Sequence, residues 1–338
     1  MSRPLPAGPL VLRPPAEQVR LFADRYRARV APAALARVTS VAEELGLVFG
    51  PEELVVIAAL DTPDKVQEFL NQRVYYNNDH ASVETEETAH PPRRVLETAL
   101  AHCFEGAMLA YAVNTLHGHE PRMVLLEARQ DSEHNVVLWR DPATGLYGGN
   151  AHSRFPGLDG RRAQFPSVRA LAATYVPFYY SDRTNDPQDL TLVGYSEPVD
   201  LLAKYGTAWM GATEPLWDIY YTYVDDTWRF HFFSDAEGAP PHLYPVVRAL
   251  AAGWIRVDGG HPVVCPEALP AAARALWDEF WRVFGPNDER RPRGPARALE
   301  EEFARLTGTT PIDLDDNASD LQFFLQAGYR IEQLLTRR

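Results

Sequence analysis

Residues 103–116 read Cys-Phe-Glu-Gly-Ala-Met-Leu-Ala-Tyr-Ala-Val-Asn-Thr-Leu and are followed by His117-Gly118. The run is apolar on nearly every side and ends at a glycine, which predicts a buried helix that begins at Cys103. Two short runs rich in Val and Leu, residues 122–128 and 135–140, predict neighbouring strands, and a turn sequence at 141–145 leads into the next segment. The centre of the chain is therefore expected to be α+β, with a buried helix beside two or three strands.

The flanking regions also mix helical and extended patterns. Helices are expected at 17–30 and 32–47, and Asp61-Thr62 before Pro63 predicts a third capped helix start. Further expectations are a helix over 167–180 up to Pro177, hairpins at 217–233 and 254–265, and C-terminal helices at 267–284, 295–306 and 318–336. We divide the chain into an N-terminal helical segment (1–90), a core (91–202) and a C-terminal α+β extension (203–338).

Composition excludes several classes of function. The 338 residues carry a formal charge of −13, which argues against binding to nucleic acid. No stretch approaches the roughly 18 uninterrupted apolar residues of a membrane span, and the Pro-rich start lacks the pattern of a secretion signal. Two distant cysteines, Cys103 and Cys265, are typical of a reducing compartment. We expect a cytoplasmic protein that does not span a membrane.

A candidate nucleophile and base lie in the central segment. A thiolate is favoured at the positive end of a helix and beside an imidazolium, and Cys103 stands at a predicted helix start among small residues. His134 opens the second predicted strand, 134 − 103 = 31 residues later, where its ring is expected to face the helix start. The neighbouring His102 is expected to project about 100° away around the helix, out of reach of the thiol proton.

A third polar group is expected to hold the imidazole in one orientation. Asn150 is the first choice, because it lies near the end of the next strand, 150 − 134 = 16 residues beyond the histidine. Asp141 and Asp131 are less attractive because one is a turn residue and the other is close in sequence. His152 and Ser153 stay open, as does a Cys–His dyad without a firm third partner.

No cofactor or metal is expected. The glycines at 145, 148 and 149 match neither common nucleotide-binding pattern, and His117-Gly118-His119 lacks a second ligand pair. Aromatic residues crowd the region from Trp217 to Phe233, where packing in a core is the commoner outcome and a substrate groove the rarer one.

Several segments resemble the transglutaminase-like superfamily, which has a papain-like cysteine site. The segments around Cys103 (101–107) and His134 (131–137) carry this resemblance. A narrower resemblance, to a bacterial branch of uncharacterised proteins with this core, spans roughly residues 60 to 201. It is carried by Phe69-Leu70-Asn71, Pro92-Arg93-Arg94-Val95-Leu96, Gly118-His119-Glu120-Pro121 and Tyr195-Ser196-Glu197-Pro198-Val199-Asp200-Leu201.

The resemblance implies a buried helix packed against an antiparallel sheet, with added N- and C-terminal helices. It also implies acyl transfer on a peptide or amide-containing substrate, as hydrolysis or transamidation, through a thioester on Cys103 with His134 as base. The superfamily usually has an aspartate where this chain offers Asn150. The alternative is therefore a catalytically degenerate module that binds a ligand or a protein partner whose identity the sequence does not give.

Overall fold

The computed structural model describes residues 13–77, 88–128, 132–153, 155, 157–180, 190–226, 230–233, 237, 253, 255–258, 261–268 and 271. Within them the α-helices are α1 (Pro15–Arg27), α2 (Pro32–Glu44), α3 (Pro51–Ala59), α4 (Pro63–Arg73), α5 (Pro92–Thr98), α6 (Cys103–Leu116), α7 (Val168–Ala173), α8 (Leu201–Tyr205) and α9 (Trp217–Asp226). The strands are β1 (Tyr75–Tyr76), β2 (Leu100–Ala101), β3 (Arg122–Ala128), β4 (His134–Arg140), β5 (Tyr147–Asn150), β6 (Arg161–Phe165), β7 (Leu192–Ser196), β8 (Phe230–Phe232), β9 (Ile255–Asp258) and β10 (His261–Val264).

Proline begins each of the first five helices. At this position the missing N–H costs nothing and the fixed φ favours the helix. The predicted helices at 17–30, 32–47 and from Pro63 are confirmed as α1, α2 and α4. Thr62 caps α4 by accepting a hydrogen bond from the backbone N–H of Lys65 at 3.3 Å. Helix α3 was not predicted, because the Gly50-Pro51 pair indicates the end of a helix in the sequence and in fact opens one.

The main sheet has six strands in the order β6-β5-β4-β3-β7-β8. Strands β3, β4, β5 and β6 pair antiparallel, with Leu126 opposite His134 and Val137 opposite Asn150. This sheet and the surrounding helices confirm the α+β class.

Helix α6 is buried along its length. Phe104 to Asn114 and also Leu116 are inaccessible to solvent, and each large apolar side chain buried in this way contributes roughly 1.5–3 kcal/mol. The helix packs closely at Gly106, where an added Cβ would lie 2.6 Å from Cβ of His152. The predicted buried helix with small residues near its start is thus confirmed.

The predicted hairpin at 217–233 is wrong. Residues 217–226 form α9, whose buried side chains Ile219 and Tyr223 follow Leu216 at helical spacing. The aromatic content favours strands, but burial of one helical face outweighs that preference. The hairpin at 254–265 is confirmed by the antiparallel pair β9–β10. The helix predicted over 167–180 is shorter in the structure: it forms α7, which is followed by a 3₁₀ turn at Val176–Phe178. Of the helix predicted at 267–284, the structure describes residues 267, 268 and 271, with a 3₁₀ turn at Pro266–Ala268, and the helices predicted at 295–306 and 318–336 lie outside the described residues.

The chain divides into two compact units. The first comprises Met1–Glu127, Glu133–Tyr179 and Tyr195–Thr227, and the second comprises Ala128–Ser132, Tyr180–Gly194 and Trp228–Arg338. Every residue of the candidate site belongs to the first unit. The division at residues 90 and 202 stays a prediction. In the described ranges we find no helix with the length and apolar character needed to cross a bilayer.

Candidate active site

Cys103 is the first residue of α6 and is partly exposed. The first amide groups of a helix have no acceptor within the helix, and together they give this end a partial positive charge. The sulfur lies over the start of β4, 4.0 Å from the backbone oxygen of Glu133 and 3.7 Å from Nδ2 of Asn135. A thiol in this position is partly desolvated and faces hydrogen-bond donors.

The structure brings His134 to the thiol, as the sequence predicts. The ring is buried, and its interaction with the Cys103 thiol lowers the pKa of that thiol. Its Nε2 lies 2.8 Å from the backbone oxygen of Leu158. Because a carbonyl oxygen accepts and never donates, Nε2 must carry the proton, which leaves Nδ1 as the nitrogen for the sulfur.

Hydrogen bonds from Arg161 and Tyr175 hold the loop that carries the Leu158 carbonyl. Arg161 donates to the carbonyl oxygens of Gly157 at 2.5 Å and of Asp159 at 2.6 Å, the residues on either side of Leu158. Tyr175 donates its hydroxyl to Asp159 O at 3.2 Å, and the Arg161 guanidinium stacks 4.1 Å from the centre of the Tyr175 ring. A backbone carbonyl therefore does what a third catalytic side chain is expected to do, which is to orient the imidazole.

Asn150 does not lie at the imidazole, and its assignment as the third member of the site is corrected. Its Nδ2 donates to Pro63 O at 2.8 Å, and its Oδ1 accepts from Asn114 at 2.9 Å. Asn114 is 11 residues beyond Cys103 on α6, about 16 Å along the helix axis. The strand position was predicted correctly, but the register places Asn150 opposite Val137, three residues past the histidine.

The contacts of the other candidates for the third position are also with residues other than His134. His152 is buried against Gly106, with its ring 5.5 Å from that of Tyr76, and Ser153 accepts a hydrogen bond from the backbone of Phe155. Asp141 caps its own turn through Thr144. Asp131 lies outside the described residues.

His102 is the residue that the sequence argument wrongly excluded. It is the N-cap of α6, with extended backbone angles (φ −89°, ψ −171°), so the 100° helical rotation does not apply to it. Its Nε2 donates to Thr88 O at 2.6 Å, and its Nδ1 lies 3.3 Å from the backbone N–H of Phe104. The signal was present, because a polar residue three positions before Glu105 is the pattern of a capping box.

Behind His102 lies a fully buried carboxylate. Glu105 accepts the backbone N–H of His90 at 2.7 Å through one oxygen and that of His102 at 2.9 Å through the other. The first oxygen also lies 3.1 Å from Nδ1 of His90 and 3.6 Å from Nε2 of His102. This carboxylate therefore fixes the start of α6 and faces two imidazoles.

These contacts change the proton affinities at the site. Burial alone would raise the pKa of the Cys103 thiol, but hydrogen bonds and charges from His102 and then His134 outweigh it, so the pKa lies well below the ordinary value. Burial would lower the pKa of His102, but the Glu105 carboxylate and the thiol raise it from 6.5 to about 10. Burial, followed by the charge of Cys103, raises the pKa of Glu133. The arrangement favours a thiolate beside an imidazolium.

Aromatic side chains of α9 form one side of this region. The Tyr220 ring packs edge-on against Phe104 at 5.1 Å and against His102 at 6.4 Å. Trp217 and Tyr221 stack on the same helix with ring centres 5.6 Å apart, and Tyr221 is exposed. The aromatic segment noted in the sequence therefore supplies both packing for His102 and a partly exposed aromatic surface.

Metal ligation has no support in the side chains that the structure places. Throughout the described ranges, no group of three or more His, Cys, Asp or Glu residues could hold a metal ion. Of the paired histidines, His117 donates to Ile57 O at 2.8 Å, and burial lowers its pKa.

Comparison with known proteins gives no assignment: no family model matches this chain, and no curated protein matches it.

Proposed function

We propose that this protein is a cysteine-dependent acyl-transfer enzyme of the transglutaminase-like superfamily, acting on a peptide or other amide-containing substrate. The supporting observation is a thiol at a helix start that is flanked by two imidazoles, His102 and His134. Each imidazole donates through Nε2 to a backbone carbonyl, at 2.6 Å and 2.8 Å respectively, and His134 thereby keeps Nδ1 for the sulfur. This is the arrangement that makes a cysteine nucleophilic.

The two imidazoles have different roles in this proposal. His102, beside the buried Glu105 carboxylate, has its pKa raised to about 10, so at neutral pH its Nδ1 is protonated and no longer accepts the N–H of Phe104. A permanently protonated ring stabilises the thiolate but cannot accept another proton. His134 therefore acts as the base, with its orientation fixed by the Leu158 carbonyl.

The reaction follows from these roles. The proton that leaves the thiol is held on Nδ1 of His134, and the thiolate attacks the carbonyl carbon of the amide to form a C–S bond. The C–N bond then breaks, and His134 returns the proton to the departing nitrogen, which leaves a thioester on Cys103. Water or an amine, deprotonated by His134, attacks the thioester and regenerates the thiol. A thiol that must stay reduced also supports a cytoplasmic location.

The test is acylation of the purified protein with p-nitrophenyl acetate. We expect the release of one nitrophenolate per chain in a rapid burst and one acetyl group on Cys103, which hydroxylamine removes as a thioester requires. Cys103→Ala and His134→Ala should abolish the burst, whereas Cys265→Ser should retain it. A degenerate binding module would give no burst above the rate of an ordinary thiol, and that result would refute the proposal.

A further inference from the structure

Asn135, the second residue of β4, has a buried amide directed at the nucleophile. The residue is 2% exposed, and its Nδ2 lies 3.7 Å from the Cys103 sulfur. Its Oδ1 is fully buried and has no hydrogen-bond partner among the described residues. A buried polar atom without a partner destabilises the folded state by roughly 1–3 kcal/mol, so this amide lowers the free energy of unfolding.

A second buried asparagine, Asn114, also has an Oδ1 without a hydrogen-bond partner among the described residues, but its Nδ2 has a structural partner. Asn114 on α6 donates through its Nδ2 to Asn150, a contact that joins the helix to β5. The described side-chain partner of the Asn135 amide is the reactive sulfur itself. A leucine of similar size would fill the same space without leaving an unpaired oxygen. The chemistry of the site therefore explains this amide better than packing does.

We propose that Asn135 Nδ2 is a donor of the oxyanion hole, together with the backbone N–H of Cys103. The proposal rests on the acyl-transfer function given above. When the sulfur attacks a carbonyl, negative charge moves from the sulfur to an oxygen on the attacked carbon. A donor 3.7 Å from the sulfur can reach that oxygen, for which useful donor distances are about 2.7–3.1 Å.

The second donor follows from the position of Cys103. As the first residue of α6 it has a backbone N–H without an acceptor inside the helix, and the helix dipole favours negative charge there. The next amide, that of Phe104, is directed to Nδ1 of His102. In the resting enzyme the Asn135 amide donates a hydrogen bond to the thiolate. During attack it donates that hydrogen bond to the developing oxyanion instead.

Two reactions of the same sulfur separate this role from a general effect on the thiol. Acetylation by p-nitrophenyl acetate passes through an oxyanion, whereas alkylation by iodoacetamide does not. Both rate constants are measured at a pH where the thiol is fully ionised in each variant. Asn135→Leu and Asn135→Ala are compared with Asn114→Leu, a buried amide remote from the sulfur, and thermal unfolding checks that each variant is folded.

We expect both Asn135 variants to lose roughly 100-fold in acetylation while alkylation stays at the wild-type plateau, and Asn114→Leu to change neither rate constant. Equal losses in both reactions, or no loss of acetylation, would overturn the oxyanion assignment while leaving the function of Cys103 intact. A wild-type protein that acetylates no faster than a free thiol would instead overturn the acyl-transfer function, and the oxyanion assignment with it.

Discussion

Replacing Glu105 with glutamine tests how the site keeps its thiol ionised. The substitution keeps the size of the side chain and removes the charge 3.6 Å from Nε2 of His102. At that distance and an effective dielectric constant of about 20, the attraction is worth about 4–5 kcal/mol, or about three pKa units. The sign agrees with the raised pKa of His102, about 10 against 6.5, because Glu105 is the largest of the contributions that outweigh burial. The variant should therefore lose the imidazolium at neutral pH.

The consequence for Cys103 has a definite sign. Without the His102 cation, the thiol pKa rises, so the rate of alkylation by iodoacetamide should reach half its maximum at a higher pH than in the wild type. At a pH below the wild-type midpoint we expect at least a roughly tenfold slower reaction, because there each unit of rise in the thiol pKa, or about 1.4 kcal/mol of weaker thiolate stabilisation, lowers the thiolate fraction tenfold. The rate is measured across pH in a Cys265→Ser background, so that Cys103 is the only thiol.

Glu53→Gln is the matched control. Glu53 occupies the same third position of helix α3, accepts from the backbone of Gly50 and pairs with Arg93 at 2.8 Å. Both variants leave a donor poorly satisfied, so both should lose roughly 1–3 kcal/mol in the free energy of unfolding. Only Glu105→Gln should change the alkylation profile. An unchanged profile, or a midpoint moved to lower pH through relief of repulsion of the thiolate, would refute the reasoning.

Three further predictions concern the supports of the site. Arg161→Met should slow acetylation by roughly 10- to 100-fold, because the Leu158 carbonyl loses its bracing and the imidazole its orientation; an unchanged rate would show that the loop is rigid without it. Asn150→Ala should lower the free energy of unfolding by about 1–3 kcal/mol in urea denaturation, yet leave alkylation unaltered; slower alkylation would restore this residue to the site. Gly106→Ala should lower the melting temperature despite the better helix propensity of alanine, because its Cβ meets His152 at 2.6 Å, and a stabilised variant would contradict that contact.

The core of the site could be predicted because its signals are local. An apolar run ending in His117-Gly118 defines a buried helix, so its first residue, Cys103, lies at the positive end. The Val-rich run after His134 defines a strand, and short connections place neighbouring strands side by side. The structure places these two strands side by side as predicted, with Leu126 opposite His134.

The remaining contacts depend on register and loop geometry, which the sequence pattern does not specify. A shift of the strand register by a few residues decides whether Asn150 faces the imidazole or α4. The hydrogen bond from Asn150 to Pro63 O shows that it faces α4. The Leu158 carbonyl has no sequence signature, because every residue carries a carbonyl. His102 was misplaced by treating an N-cap as part of the helix. Helix α9 was misread because aromatic residues favour strands unless one helical face is buried.

The most direct test of the central claim is a titration of the thiolate by its ultraviolet absorbance, taken as the difference between the wild type and Cys103→Ala. We predict that the absorbance is already present at about pH 6 and that it disappears only in more acidic solution, as the depressed thiol pKa requires. Absorbance that appears only near the ordinary cysteine pKa of about 8.5 would contradict the account.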